Sequence, residues 1–299
     1  MNKVLLALLI LFSISAQAQD DEPDLLSLLG EEEYTDYTIA SFKANRVINL
    51  HSLELTSRRV FDLKISHRFG IASGGFKEWY GLDQATIRIG GDYGITDRLM
   101  VGLGRSSFEK TYDGYAKYKF LRQSKGTVNM PITALLMTSA AVKTIDFAER
   151  DRTNYFSHRM FYVHQLIVGR KFSEAFSMQV SPTLVHRNLV SSVDDSNDVY
   201  AIGIASRIKL SKRLSLNGEY IYVPDGQLAD QYRNSASIGL DIETGGHVFQ
   251  LHFTNSTAMT DKGVVSETVD DWADGDFRFG FNVSRVFNIK KKEDKKHKN

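Results

Sequence analysis

The feature that most constrains this chain is a repeated alternation of apolar and polar residues. After residue 58, about twelve stretches of 9–13 residues alternate in this way. None of them contains the ~18 consecutive apolar residues of a membrane-spanning helix. Alternation puts apolar side chains on one strand face and polar ones on the other. The links between stretches are short and long in turn, which is typical of an outer-membrane barrel with tight turns on one rim and loops on the other.

The pattern predicts an all-β fold: a transmembrane antiparallel up-and-down β-barrel of about 12 strands with a short irregular or helical N-terminal extension. An even strand number leaves both termini on the periplasmic side. Two links depart from the scheme, since 122–131 is long for a periplasmic turn and 109–111 is short for an outer loop. The predicted strands are 60–69, 84–93, 99–108, 112–121, 132–142, 158–170, 177–189, 199–210, 214–223, 233–243, 247–254 and 277–288.

The first residues have the layout of an export signal. Lys3 precedes an apolar core over Val4 to Ile14, and Ala16-Gln17-Ala18 is a small-x-small cleavage site. Residues 1–18 are therefore predicted to be a cleavable signal peptide, with a short anchor helix as the alternative. An export signal before a barrel pattern predicts the outer membrane of a Gram-negative bacterium.

Two segments flank the predicted barrel at 59–288. Residues 19–58 begin acidic and turn basic, and they do not alternate. This N-terminal extension is either a partly disordered periplasmic leader or a segment that enters the lumen or docks a partner. Residues 289–299 form a lysine-rich tail, interpreted as solvated or as contacting a periplasmic partner or anionic lipid. The run 280–287 (GFNVSRVF) looks like a signal for the barrel-assembly machinery.

Composition excludes several classes of function. The chain has no cysteine, which excludes disulfides, thiol catalysis and a lipid-modified N-terminal cysteine. Its formal net charge of +1 gives no reason to expect nucleic-acid binding. The expected partners are outer-membrane lipid, the barrel-assembly machinery and a possible periplasmic protein. No cofactor is predicted.

The predicted lumen is rich in bases. Basic rings inside a pore attract anions, which favours a narrow or gated channel for small anionic solutes. The alternative is a plugged barrel whose interior charges pair with each other. The inward bases are Lys64, Arg68, Arg88, Lys117, Lys119, Arg187, Arg207, Lys209 and Arg278, and the inward acids are Asp62, Asp92, Glu219 and Asp241.

Catalytic and metal motifs have little support. The pairs Ser66-His67 and Ser157-His158 place their side chains on opposite faces of a strand, where neither activates the other. His158 and His164 share a face but lie roughly 20 Å apart at ~3.3 Å per residue. The acidic run DDWADGD lacks the complete calcium-loop pattern. We therefore do not expect an enzyme.

Several long runs resemble an uncharacterised outer-membrane β-barrel family, the domain of unknown function 5777 family. The resemblance covers roughly residues 38–288, and ASFKANRVINLHS (40–52) is similar to the family's pre-barrel segment. It implies a barrel fold and an outer-membrane address, but no reaction, substrate or catalytic residue. The functional hypotheses are thus a channel, a non-conducting scaffold barrel that docks a periplasmic partner, and, less favoured, a lipid-acting barrel enzyme. The other runs are HRFG (67–70), GLDQA (81–85), TDRLMVGLGRS (96–106), KTYDGYAKYK (110–119), PTLVHRNLV (182–190), NDVYAIG (197–203) and ETGGHVFQLHFTNS (243–256).

Overall fold

The computed structural model describes residues 34–149 and 151–289. These residues form a closed antiparallel barrel of twelve strands and a separate sheet of two short strands. The strands are β1 (Thr35–Tyr37), β2 (Val60–Ile71), β3 (Ala85–Gly94), β4 (Leu99–Ser106), β5 (Tyr112–Leu121), β6 (Ser124–Gly126), β7 (Thr133–Val142), β8 (Met160–Lys171), β9 (Phe176–Arg187), β10 (Asp198–Lys209), β11 (Leu214–Tyr222), β12 (Ser235–Thr244), β13 (His247–Thr254) and β14 (Arg278–Asn288).

The barrel closes by pairing its last strand with its first. β14 runs antiparallel to β2, with Phe287 opposite Phe61 and a bulge between Arg278 and Gly280. All other barrel neighbours are consecutive in the chain once β6 is set aside. Closure pairs every strand edge, as a lipid-exposed sheet requires. The predicted fold class is confirmed, and each of the twelve predicted strands is present within a few residues of its expected bounds.

The two faces of the wall differ in chemistry. In β10, Tyr200, Ile202 and Ile204 are exposed on the outside, whereas Ala205 and Arg207 are buried on the inside. This division follows from the two-residue period of a strand. An apolar outer face is what hydrocarbon requires. Among the described residues, no helix is both long and apolar enough to cross a membrane.

We call the end of the barrel where β2 begins and β14 finishes the terminal end, and the opposite end the loop end. The unexpectedly long link after β5 lies at the terminal end and contains β6, which pairs with β1 outside the barrel. This pairing gives the extra residues a structural role. The unexpectedly short link after β4 lies at the loop end and is closed by a 3-10 turn over Phe108–Lys110.

The longest link, between β13 and β14, folds back into the loop end. It contains the short helix α1 (Asp261–Ser266), all six residues of which are buried. The remaining helical segments are 3-10 turns over Ala72–Gly81, Phe156–Arg159 and Trp272–Asp274. The predicted signal peptide, the acidic start of the extension and residues 290–299 of the tail lie outside the described residues.

Candidate functional site

A segment that precedes the barrel in sequence occupies its interior. We call residues 40–58 the plug segment. Val47, Ile48 and Leu53 are each 1% exposed, although only coil and isolated bridges surround them in sequence. The segment leaves the barrel beside β3, where a Cβ on Gly94 would lie 2.0 Å from the Ser57 carbonyl oxygen. That close approach requires glycine.

Apolar side chains of the plug segment share one hydrophobic cluster with the wall. Leu50 packs so close to β10 that a Cβ on Gly203 would lie 2.9 Å from its Cδ1 atom. Full burial of one Leu side chain stabilises by about 1.5–3 kcal/mol. The plug contributes Phe42, Val47, Leu50 and Leu53, and the wall and α1 contribute Met100, Tyr115, Leu135, Met137, Val163, Ile167, Val185, Val199, Ala201, Ala205, Ile221, Val264 and Val265.

One wall carboxylate binds a turn of the plug backbone. Glu219 on β11 accepts N–H bonds from Ile48 (3.2 Å), Asn49 (2.8 Å) and Leu50 (3.0 Å). The side chain of Asn49 donates to Ser237 on β12 at 3.0 Å. Successive N–H groups that converge on one anion form a backbone nest. An otherwise uncompensated buried carboxylate and three otherwise unpaired N–H groups therefore satisfy each other.

Wall cations and amides bind the plug carbonyls in the complementary way. The Lys117 ammonium donates to the carbonyls of Ser52 (2.8 Å), Glu54 (2.7 Å) and Asn45 (3.2 Å). Arg207 donates to the carbonyls of residues 40 and 41 at 2.8 and 3.0 Å. Irregular backbone lacks ladder partners, so these side chains supply the hydrogen bonds that buried peptide groups require.

At the loop end, the plug segment meets α1 through a buried ionic group. Arg46 donates to Asp261 at 2.8 Å, and the His51 Nε2 atom lies 3.3 Å from the same carboxylate. Burial and the neighbouring Arg46 lower the pKa of His51 to about 3. Burial alone would raise the pKa of Asp261, but Arg46 and His51 overcome it and hold that pKa below its ordinary value. The group is therefore a neutral imidazole beside an Arg–Asp pair.

A second ionic group fixes α1 itself. Lys262 donates to Glu109 at 3.1 Å and also pairs with Glu267. Burial opposes the charge of Lys262, but the two carboxylates raise its pKa above the ordinary value. Its ammonium also lies 4.2 Å from the centre of the Phe161 ring. The loop end is thus closed by α1, while the plug segment fills the lumen beneath it.

The structure buries most of the bases that the sequence placed on the inner face, and it gives them partners. Lys64 pairs with Asp92, and Lys64 also lies 3.8 Å from Asp62. Asp241 accepts from Gln250 at 2.9 Å. The remaining bases with side-chain or loop partners are Arg68 with Asn49 and Asn282, Arg88 with Asp113, Arg187 with Asp195, and Arg278 with Asp270.

Lys119 and Lys209 are half-buried, as is Arg278, and stand near the terminal end of β5 and β10. Unlike Arg278, they have no ion pair among the described residues. Sequence reasoning missed the partners contributed by other segments, above all Asp261, Lys262 and the plug residue Arg46. Apolar residues at 42, 47, 50 and 53 within the plug segment were the available signal, but they have no strand or helix period.

Two of the histidines considered in the sequence make ordinary structural contacts. Within residues 34–149 and 151–289, no three His, Asp or Glu side chains are grouped to hold a metal ion. His67 stacks on Phe281 with ring centres 5.0 Å apart. The Nδ1 atom of His158 accepts from the Tyr155 N–H at 3.3 Å.

Several solved structures of outer-membrane proteins match this chain, but their similarity to it is low. The NanC porin is 7% identical with a TM-score of 0.47, covering 76% of this chain and 98% of that one. The KdgM porin is 9% identical with a TM-score of 0.46, covering 76% and 99%. Outer membrane protein Omp33 of Acinetobacter baumannii is 9% identical with a TM-score of 0.40, covering 76% and 97%. We transfer no residue role from them.

A search of curated proteins finds no match to this chain. The family model of a membrane-bound beta barrel domain matches residues 42–287. The matched range begins within the plug segment and ends in β14, so it takes in the luminal segment together with the wall. The chain belongs to this family of membrane-bound β-barrels, the domain of unknown function 5777 family.

Proposed function

We propose that this protein is an outer-membrane channel of a Gram-negative bacterium, held closed by its plug segment and conducting when that segment leaves the lumen. The terminal end faces the periplasm, so the plug segment enters the barrel from the periplasmic side. The supporting observation is that a continuous piece of chain fills the lumen together with the wall's own side chains. Such a piece can be withdrawn without breaking a strand pairing.

The wall around the plug segment is suited to water once the plug has left. Four strands present short polar side chains to the lumen, and polar walls are typical of water-filled barrels. Gln179, Ser237 and Gln250 among them are hydrogen-bonded to the plug, and water replaces such bonds at little net cost. These inward residues are Ser177, Gln179, Ser181, Thr183, Ser215, Asn217, Ser235, Ser237, Gln250 and Thr254.

The proposed cargo follows from the groups that the plug covers. Lys117 and Arg207 donate to plug carbonyls, and Arg68 donates to the side chain of Asn49. Withdrawal of the plug leaves these three cations facing the lumen without those partners. The carboxylates of Glu219 and Asp261 lose their plug partners at the same time, so the cations are in excess by one. A lumen lined by Arg and Lys favours anions. We therefore infer small anionic solutes as the class that passes.

A second candidate is a non-conducting scaffold barrel. The hydrophobic cluster of Phe42, Leu50 and Leu53 with the wall favours it, because an aqueous channel has no use for inward Leu135 or Ile167. In that case the plug segment is a permanent core that replaces wall side chains. In a barrel of about eight strands, the side chains of the wall fill the interior. A barrel of twelve strands is wider, so a further segment is needed to fill it.

Planar-bilayer conductance separates the two. The full chain is expected to be silent, and a variant lacking residues 40–56 is expected to give steady anion-selective conductance. Folding of both is checked by heat-modifiable migration in electrophoresis. Because the deletion removes part of the hydrophobic cluster, Lys117→Met serves as a second variant that keeps the chain length. Folded, inserted and silent variants of both kinds would overturn the channel proposal and leave the scaffold.

A further inference from the structure

A small basic cavity lies where the plug segment enters the barrel. It has a volume of about 140 Å³ and is lined at the terminal end by Ala40 and by six charged residues. Ala40 and Lys43 belong to the plug segment, and the other residues belong to β8, β10 and the turns that follow them. The charged lining is Lys43, Lys171, Glu174, Arg207, Lys209 and Lys212.

The lining of this cavity carries more positive charge than the neighbouring carboxylates neutralise. Lys43 pairs with Glu243, and Lys171 pairs with Glu174 at 2.7 Å, although the Glu174 side chain is 81% exposed. Arg207 is 3% exposed and donates from Nε to Ser215 and from Nη1 to the carbonyls of residues 40 and 41, so its Nη2 group is left for an anion. Across the part of the chain that the structure describes, Lys209 and Lys212 have no ion pair. Like charges held together in a partly buried site are unfavourable unless an anion joins them.

The wall side chains that line this cavity lie on the luminal face of the barrel. Lys171, Arg207 and Lys209 have the same strand parity as the buried inner residues Gly169 and Ala205. The side chains at the alternate positions of these strands face lipid. An anion therefore reaches the cavity from the aqueous mouth of the barrel and not from a lipid headgroup.

We propose that this cavity, lined by Lys43, Arg207, Lys209 and Lys212, is a binding site for a soluble phosphate group. Its volume is well below the ~300–1,000 Å³ of ordinary small-molecule pockets, so it receives one compact anionic group. Tetrahedral phosphate accepts several hydrogen bonds at once, and Arg with Lys is the donor set that proteins use for it. The same volume does not hold a long hydrophobic ligand.

Occupancy of this site would cross-link the plug to the wall. Lys43 donates to the Lys212 carbonyl at 3.0 Å, and Arg207 donates to the Ala40 carbonyl, so both sides of the site meet at the base of the plug. A ligand that binds only the plugged form stabilises that form by mass action. This second step rests on the proposed channel function, whereas the binding itself does not.

Isothermal titration calorimetry of the full chain in detergent with inorganic phosphate tests the site, with chloride at equal ionic strength as the reference. The double variant Lys209→Gln, Lys212→Gln is expected to weaken phosphate affinity by about tenfold or more, since it removes two charge-assisted donors. The matched control is Lys77→Gln with Lys110→Gln, two exposed lysines at the loop end. The control is expected to keep the affinity within about twofold.

Saturable phosphate binding that is lost in the first double variant and retained in the control supports the site. Absence of phosphate binding to the full chain, or equal weakening in both double variants, overturns it. Conductance of the variant lacking residues 40–56 would support the channel. In that case, phosphate on the terminal side is expected to lower the opening frequency of the Lys117→Met variant, because bound phosphate stabilises the plugged form. Phosphate binding in a barrel that never conducts would retain the site and refute only the channel.

Discussion

The substitution Glu219→Gln tests whether the backbone nest holds the plug segment in place. In the structure, one carboxylate oxygen accepts from Ile48 and Leu50, and the other accepts from Asn49. The neutral amide keeps one acceptor oxygen and turns an NH₂ group toward the remaining N–H. The side chain keeps its size, so the change removes charge and one acceptor without opening a cavity.

The magnitude follows from the bonds that are lost. One buried N–H left without an acceptor costs about 1–3 kcal/mol. The two remaining bonds change from charge-assisted to neutral, which costs about 1 kcal/mol each. These costs sum to about 3–5 kcal/mol, and the lower end, about 3 kcal/mol, is taken as the expected weakening of plug seating. At 1.4 kcal/mol per factor of ten, the released population rises roughly a hundredfold.

Thiol labelling measures that population. The chain contains no cysteine, so Val47→Cys introduces a single thiol at a plug position that is 1% exposed. Maleimide labelling of the folded protein is expected to be slow in this background and roughly a hundredfold faster when Glu219→Gln is added. The matched control, Glu149→Gln, neutralises a carboxylate whose side chain is 74% exposed at the loop end.

Two results would refute the reasoning. Equal labelling rates with and without Glu219→Gln, in a barrel that remains heat-modifiable, would mean that the nest does not hold the plug segment. An equal acceleration by Glu149→Gln would mean that loss of a negative charge, and not loss of the nest, controls the rate.

Three further predictions use the same labelling assay. His51 has a pKa of about 3 in the plugged form against an ordinary 6.5, so the released form binds the extra proton and acid favours release. Labelling corrected for thiol reactivity is expected to rise by up to about tenfold per unit as pH falls from about 6.5 to 4.5, and His51→Gln should flatten this dependence. Asp261, whose pKa lies below its ordinary value, adds to the loss only below about pH 4. Lys117→Met leaves the carbonyls of Ser52 and Glu54 without a donor, whereas that of Asn45 keeps the Ser52 N–H. It is expected to accelerate labelling by at least about tenfold; an unchanged rate would contradict the assigned contacts. Gly203→Leu places a side chain where Leu50 packs, so it should release the plug while the barrel stays heat-modifiable, and unfolding of the barrel would contradict it.

The ionic group at Asp261 also links the plug segment to α1. Arg46 and His51 belong to the plug segment, whereas Asp261 begins α1 of the loop-end link. Removal of one member leaves the others as buried charges or donors without partners, which is strongly unfavourable. Movement of α1 and release of the plug segment are therefore energetically coupled.

The sequence alone determined the wall of this protein. Alternation in stretches such as 60–69 and 277–288 is a local property, and each strand must show an apolar face to lipid whatever its neighbours are. Strand number, strand order and the inward position of Lys64, Arg88 and Arg207 therefore follow from counting along the chain. The export signal and the barrel-assembly run are equally local, and they remain predictions.

Only the tertiary structure decided what fills the lumen. The plug segment has no strand or helix period, because its backbone bonds go to wall side chains such as Glu219 and Lys117 and not to a regular neighbour. Which base finds a partner depends on residues more than a hundred positions away, as with Arg46 and Asp261. Closure of the barrel brings these residues together. Entry of the N-terminal extension into the lumen was therefore only one of the alternatives that the sequence left open, and its contacts with the wall could not be read from the sequence.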